Sequence, residues 1–181
     1  MSQEPELVSR FAASRAQLSD GVADLPGDVA GIVAAGRHLV LMRADCDGVR
    51  RTDLWVHAAG GVVGALPNDP AEVGNCVVVA PDLVPVFVAQ LVGSTEPVAD
   101  AEDTTTITAD DTNEFLRDAR VAGAVGTRFV LGATSADSGQ ILWQSGAAIQ
   151  WGVRSAGSPI QLDGRSPVGW WSAVSSLLQA S

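Results

Sequence analysis

Few side chains of this chain are of types that carry out chemistry. Nucleophilic catalysis needs a serine or cysteine beside a base that a third group orients, and only two histidines are present to act as that base. His57, with Cys46 and Asp53 nearby in sequence, is the one combination of this kind. Because His57, like His38, lies inside a predicted strand, a structural or solvent-facing role suits it better. We therefore expect no catalytic residue and no enzymatic activity.

Metal and cofactor sites are also not expected. The two histidines and the two cysteines, Cys46 and Cys76, follow no recognised ligand spacing. Asp45-Cys46-Asp47-Gly48 begins like a calcium loop but lacks the third acidic position and the distant glutamate, so a β-turn explains it better. Gly60-Gly61-Val62-Val63-Gly64 resembles a phosphate loop in glycine content only, because the chain has no lysine and the segment precedes a strand.

Composition limits the partners and the location of the protein. Eleven basic residues, all arginine, against twenty-one acidic residues give a formal net charge of −10, which repels nucleic acid and anionic lipid. The longest apolar run, Leu83 to Val92, is about half of the ~20 residues that a membrane crossing requires. The cysteine spacing and the absence of a secretory leader predict a cytoplasmic protein without a membrane span.

Hydrophobic periodicity predicts the order helix, four strands, helix in the first half of the chain. The predicted helices are Glu4–Leu18 and Pro81–Gly93, and the predicted strands are His38–Ala44, Thr52–Ala58, Val62–Leu66 and Cys76–Ala80. The same order is predicted again in the second half. Its helices run from a cap around Thr108 and Asp111 to Gly123 and from Ser166 to Gln179, with strands at Thr127–Ala133, Gln140–Gln144, Ala148–Arg154 and Pro159–Leu162.

The two halves also share short matching segments, which indicates an internal duplication. Gly36-Arg37-His38-Leu39-Val40-Leu41 matches Gly126-Thr127-Arg128-Phe129-Val130-Leu131, and Asp53-Leu54-Trp55 matches Ile141-Leu142-Trp143. The expected fold class is α+β, with two pseudosymmetric halves that each contain a helix, an antiparallel four-stranded sheet and a helix. The halves are residues 1–93 and 108–181, joined by an acidic linker at 94–107; one compact domain is the alternative.

Two apolar helices are candidates for contact with a partner. The helix after Pro81 is apolar around nearly its whole circumference, so it lies either between the two halves or in a dimer or partner interface. The last helix carries adjacent tryptophans, a residue type enriched at interface centres, although core packing is the preferred interpretation for each of them. The residues that we select as candidate protein contacts are Gly60, Gly61, Val62, Val63, Trp170 and Trp171.

The chain resembles the EspG family, the secretion-associated proteins of the actinobacterial ESX (type VII) systems. The resemblance rests on the arginine-only, alanine-rich composition, on Gly36-Arg37-His38-Leu39-Val40-Leu41, on Val78-Val79-Ala80-Pro81-Asp82-Leu83-Val84 before an apolar helix, and on the C-terminal strand and helix around Pro167 to Leu178. It implies two related halves of sheet plus helices and a cytosolic chaperone that binds secreted PE/PPE helical pairs. No catalytic, cofactor-binding or metal-binding residue follows from it.

The expected function is therefore protein binding, as a chaperone or adaptor for type VII secretion substrates. The alternative from another class is a small-ligand-binding protein or an enzyme with a pocket between the sheets. A structural homodimer is a third interpretation.

Overall fold

A computed structural model of the chain describes residues 8–20, 25–92, 107–121, 127–133, 138–145, 149–162 and 166–179. The strands are β1 (Val8–Ser14), β2 (Arg37–Asp45), β3 (Gly48–His57), β4 (Gly60–Ala65), β5 (Val73–Val79), β6 (Ile107–Ala109), β7 (Thr127–Gly132), β8 (Ile141–Ser145), β9 (Gln150–Val153) and β10 (Ile160–Leu162). The helices are α1 (Arg15–Ser19), α2 (Gly27–Ala35), α3 (Val84–Val92), α4 (Thr112–Val121) and α5 (Pro167–Gln179), and a 3-10 turn at Pro81–Leu83 leads into α3.

The fold is mixed α+β with one large antiparallel sheet. Its strand order is β1-β5-β4-β3-β2-β7-β8-β9, and a separate two-stranded sheet pairs β10 with β6. The expectation of two four-stranded sheets is therefore wrong, because β2 pairs with β7 within one sheet. In addition, β1 joins the first meander and β10 pairs with β6 outside the second. The predicted strands β2 to β5 and β7 to β10 are confirmed, with shifted ends.

Contacts divide the chain into two compact units. Unit 1 contains Met1–Leu39, Thr52–Val88 and Leu178–Ser181, and unit 2 contains Val40–Arg51 and Ala89–Leu177. The expected boundary at 94–107 lies almost wholly outside the described residues, and the division into 1–93 and 108–181 stays a prediction.

In unit 1, helices α1 and α2 cover one face of the strands β1, β5, β4 and β3. Trp55, Val62 and Cys76 project from that face and pack with Leu18 of α1 and with the stripe of α2. The stripe consists of Val29, Ile32 and Val33, at the spacing that places side chains on one side of a helix. Val84 of α3 packs against the sheet at Gly61, where a Cβ would lie 2.7 Å from Val84 Cγ2.

The prediction of an N-terminal helix over Glu4–Leu18 is wrong for Val8–Ser14, which forms β1, and is confirmed only for its last four residues, which lie in α1. All seven residues of β1 pair with β5, including Phe11 with Cys76, and this pairing overrides the helical spacing of the apolar residues. The helix starts at Arg15, after a capping box in which Ser14 Oγ accepts from the Gln17 backbone N–H at 3.1 Å. The sequence patterns also missed α2 and β6.

Within the described residues, helix α3 is buried on one side and open on the other, so burial of its second side, between the two halves or in an interface, stays a prediction. Val84 and Val88 are buried one turn apart, whereas Val86 is 45% exposed and Gln90 is exposed. Its packing in the described chain is therefore that of a one-sided helix. Within the described residues, every helix is too short or too polar to cross a membrane.

In unit 2, helix α4 covers one face of β2, β7 and β8. Phe115 and Leu116 of α4 pack on Ala44, Val130 and Leu142. The helix is N-capped by Asp111, whose Oδ1 accepts from the Glu114 backbone N–H at 2.8 Å. The cap of the predicted helix is thus Asp111, while Thr108 lies in β6.

Arg128 is a buried cation under α4. Its Nε donates to Gln144 Oε1 at 2.9 Å and its Nη1 donates to the Phe115 carbonyl at 2.8 Å. Burial lowers the pKa of the guanidinium, and the neighbouring Asp118 carboxylate opposes that shift. The two neutral acceptors hold the charged group in place between the sheet and the helix.

Candidate functional site

Unit 1 contains a buried carboxylate that is in contact with two basic side chains. Asp53 of β3 is fully buried, and its Oδ2 lies 3.3 Å from Arg15 Nε while its Oδ1 lies 2.9 Å from His38 Nε2. Because a carboxylate only accepts hydrogen bonds, the proton of the second bond is on Nε2 of the imidazole. The buried charge of Asp53 on β3 is therefore compensated by partners on two other elements, α1 and β2.

The His38 side chain is held in place by a stacking contact on its ring face as well as by the hydrogen bond at its ring edge. The imidazole stacks on the Trp55 indole with ring centroids 4.6 Å apart and planes inclined by 7°. Asp53 and Trp55 are two residues apart on β3 and therefore project from the same face of the strand. The His38–Asp53 pair resembles the base and the orienting group of a triad, but no hydroxyl or thiol of the described residues hydrogen bonds to His38.

Cys76 lies on the same face as Asp53, two strands away. The register places Asp53 opposite Gly64 and Gly64 opposite Cys76. Burial raises the pKa of the Cys76 thiol to about 11, and the negative charge of Asp53 adds to the rise against a backbone hydrogen bond from Ala13. The thiol is neutral at pH 7, so it is neither a strong nucleophile nor a ready metal ligand.

The combination that the sequence suggested, His57 with Cys46 and Asp53, has other contacts in the structure. His57 Nδ1 accepts from the Ala59 backbone N–H at 3.2 Å, in the turn that follows β3. Cys46 is exposed and its Sγ lies 3.8 Å from Asp47 Oδ1. Asp53 is bound to Arg15 and His38 instead. Among the described residues, no group of three or more histidines, cysteines and carboxylates could hold a metal ion.

Unit 2 contains a tryptophan cluster between the sheet and α5. The Phe129 and Trp143 rings stack at 5.0 Å, the Trp143 and Trp170 rings meet edge to face at 5.4 Å, and Trp171 lies 6.0 Å from Trp170. Trp151 is paired with Trp143 across β8 and β9. Since Trp143 and Trp170 are fully buried, they form the interior of the cluster.

Four apolar side chains near this cluster are partly or largely open to solvent, and together we call them the tryptophan patch: Trp151, Val153, Val168 and Trp171. Both tryptophans are half-buried, Val153 is exposed and Val168 is 78% exposed. Trp151 reaches α5, because a Cβ on Gly169 would lie 3.1 Å from its Cζ2. The Trp151 indole N–H is buried and has no acceptor among the described residues, which leaves a donor unsatisfied beside the patch.

The structure places most of the selected contact residues inside the protein. Gly60, Gly61, Val62 and Val63 belong to β4, an interior strand of the sheet, and all four are buried. A Cβ would lie 2.7 Å from Val84 Cγ2 at Gly61 and 2.8 Å from the Val79 carbonyl oxygen at Gly60, so the two glycines are close-packed positions of the sheet and not part of an open loop. Trp170 is likewise buried, and Trp171 alone of the six is partly open to solvent.

Within the described residues, each unit has a cleft with space for a ligand. The cleft of unit 1, about 400 Å³, is lined by His57, Asp82 and apolar residues around Pro81. The cleft of unit 2, about 370 Å³, lies between α4 and the strands β2 and β7. The alternative interpretation of the sequence placed a pocket between two sheets, whereas the cleft of unit 2 lies between the sheet and a helix.

No family model matches the chain, and no curated protein matches it.

Proposed function

We propose that this chain is a non-enzymatic protein-binding protein and that the tryptophan patch is part of its contact surface. The observation that carries the proposal is the grouping of Trp151, Val153, Val168 and Trp171 near a rigid aromatic cluster. Tryptophan side chains bury a large, stiff surface, and apolar groups that surround a partly open tryptophan are typical of interface centres. Apolar surface of this kind on a soluble domain indicates contact with another molecule.

The proposed partner is a helical protein pair of the PE/PPE type, and the proposed role is that of a cytoplasmic chaperone or adaptor for type VII secretion. This part of the proposal is supported by the resemblance to the EspG family. An amphipathic helix presents one apolar stripe, and a fixed aromatic surface such as the tryptophan patch can cover that stripe.

The proposed internal duplication is supported by the element order and by one register. Each half contains a strand, helical structure, four strands and a helix, and the first strand of each half pairs with the last, β1 with β5 and β6 with β10. In the pairing of β2 with β7, Leu41 lies opposite Leu131. These are residues that the match between the two halves had already equated.

Co-purification with a defined PE/PPE pair tests the proposal. We expect the wild-type chain to retain the pair and Val168→Asp to lose it by about thirtyfold or more, since removal of an interface centre costs about 2 kcal/mol. Val168 lies in the first turn of α5, where an aspartate is favourable to the helix, so the variant should fold. The control is Val73→Asp, which changes a valine that is 58% exposed in unit 1.

Equal retention by Val168→Asp and Val73→Asp would exclude the patch as the contact surface. No retention by the wild-type chain would exclude the proposed partner. The homodimer interpretation is tested by light scattering over a range of concentrations, with Phe87→Asp as a probe of α3. A concentration-dependent mass that Phe87→Asp abolishes would favour the homodimer.

A further inference from the structure

The cleft of unit 1 has an apolar floor and two polar groups in its wall. Val84 of α3 and Leu178 of α5 are buried and form the floor, and Val56 and Pro85 are half-buried beside them. The volume of about 400 Å³ is within the range of small-molecule sites. A floor of this composition favours a ligand with an apolar group, because each methylene that leaves water strengthens binding about fourfold.

One polar group in the wall is a hydrogen-bond donor. His57 lines the cleft, and its Nδ1 accepts from the Ala59 backbone N–H at 3.2 Å. An imidazole that accepts at Nδ1 is neutral and carries its proton on Nε2. Within the described residues, this second N–H has no hydrogen-bond acceptor. It therefore suits a neutral oxygen of a ligand and not a metal ion, which needs the lone pair of a ring nitrogen.

The other polar group is a carboxylate. Asp82 is the one charged side chain among the described residues of the lining, and it lies exposed in the 3-10 turn that leads into α3. In the part of the chain that the structure describes, its carboxylate accepts no hydrogen bond and forms no ion pair. The negative charge is therefore not offset by a neighbouring arginine. A carboxylate of this kind, in a chain whose formal net charge is −10, attracts a cationic ligand.

We propose that this cleft binds a primary amine that carries an apolar group and a neutral carbonyl oxygen. The ammonium group pairs with the Asp82 carboxylate, the carbonyl oxygen accepts from His57 Nε2–H, and the apolar group covers the floor at Val84. Amino-acid amides and the free amino end of a peptide share this chemistry. The cleft has no residue in common with the tryptophan patch, so the site does not depend on the proposed protein-binding function.

An NMR titration of the full chain with leucinamide and its truncated analogues tests the proposal, at a pH below the α-amino pKa of about 7.7–8.0. We expect leucinamide to shift the backbone amide signals of Ala58 and Val84. Glycinamide lacks the apolar group and should bind about tenfold more weakly, or worse. N-acetylleucinamide lacks the positive charge and isopentylamine lacks the carbonyl. Each should bind about threefold to fivefold more weakly, because both polar groups of the wall are partly open to water.

Two substitutions assign these losses to their partners in the protein. Asp82→Asn should abolish the preference for leucinamide over N-acetylleucinamide, and His57→Phe should abolish the preference for leucinamide over isopentylamine. The matched control is Asp28→Asn, because Asp28 is also an exposed aspartate in the first turn of a helix of unit 1 and does not line the cleft. Thermal melting of each variant separates lost binding from lost folding.

Leucylglycinamide distinguishes the two sources of this chemistry. Binding at least as tight as that of leucinamide indicates a peptide end as the ligand, and weaker binding indicates a free amino-acid amide. The proposal is overturned if leucinamide does not bind at low millimolar concentration, if N-acetylleucinamide binds as tightly as leucinamide, or if Asp82→Asn binds leucinamide like Asp28→Asn.

Discussion

Asp53→Asn removes the buried negative charge of unit 1 with almost no change in volume. Arg15, whose side chain is 14% exposed, then keeps its charge without its counter-ion, and breaking a buried ion pair in this way costs about 3–5 kcal/mol. His38 is 38% exposed, so water replaces part of the interaction that it loses. We therefore expect a loss of about 3 kcal/mol in the free energy of unfolding. For a chain of this size, such a loss lowers the Tm by roughly 6–12 °C.

Urea denaturation followed by tryptophan fluorescence measures this change, and the indole of Trp55 is a local probe because His38 stacks on it. The dependence of unfolding free energy on urea should stay constant, since the same surface is exposed on unfolding. Asp47→Asn is the control: its side chain is 73% exposed and 3.7 Å from Arg50, so its loss should cost less than about 0.5 kcal/mol. If Asp53→Asn were as mild as Asp47→Asn, the buried carboxylate would not hold unit 1 together.

Three further predictions concern the cysteines and glycines. In the folded protein a thiol reagent should modify Cys46 and leave Cys76 unmodified until urea is added, because the first is exposed and the second buried. The folded pKa of Cys76, about 11, lies above the usual 9.0, so stability should fall as the pH rises from 9 to 11, where the unfolded thiol ionises first. The loss should approach about 2–3 kcal/mol, and Cys76→Ala should remove this dependence; the chain has no lysine or tyrosine to titrate in that interval. Gly31→Ala, on an open position of α2, should stabilise the protein by about 0.5–1 kcal/mol in thermal melts, whereas Gly152→Ala should destabilise it because its Cβ would overlap the Gln161 carbonyl oxygen.

Local sequence patterns predicted most strands because strand and turn residues alternate within short windows. The runs around Leu39 and Val130, rich in β-branched and aliphatic residues, became β2 and β7. The same local patterns gave a wrong prediction for the N-terminal segment. Leu7, Phe11 and Leu18 have helical spacing, yet Phe11 pairs with Cys76, sixty-five residues away. A pattern confined to one segment contains no information about such a partner.

The candidate sites were predictable only in part. Asp53 was noted beside His57, but its partners come from α1 and β2. One signal for this site was available in the sequence. A lone aspartate two residues before Trp55 in an apolar strand projects from the same face as the indole. If that face is buried, the carboxylate needs a cationic partner. Val153 and Val168 gave no such signal, since a single exposed valine is ordinary in any sequence.

The sequence by itself determined the acidic charge, the lack of lysine and tyrosine, the scarcity of groups for proton transfer and metal binding, and the mixed strand and helix content. These properties are sums over residues or patterns within about ten positions, so no distant contact can change them. Only the tertiary structure decided that Val62 and Trp170 are buried, that Trp171 is partly open, and that Arg15 and His38 meet at Asp53. Burial and pairing depend on which distant segments pack together, and that choice is made by the free energy of the whole fold.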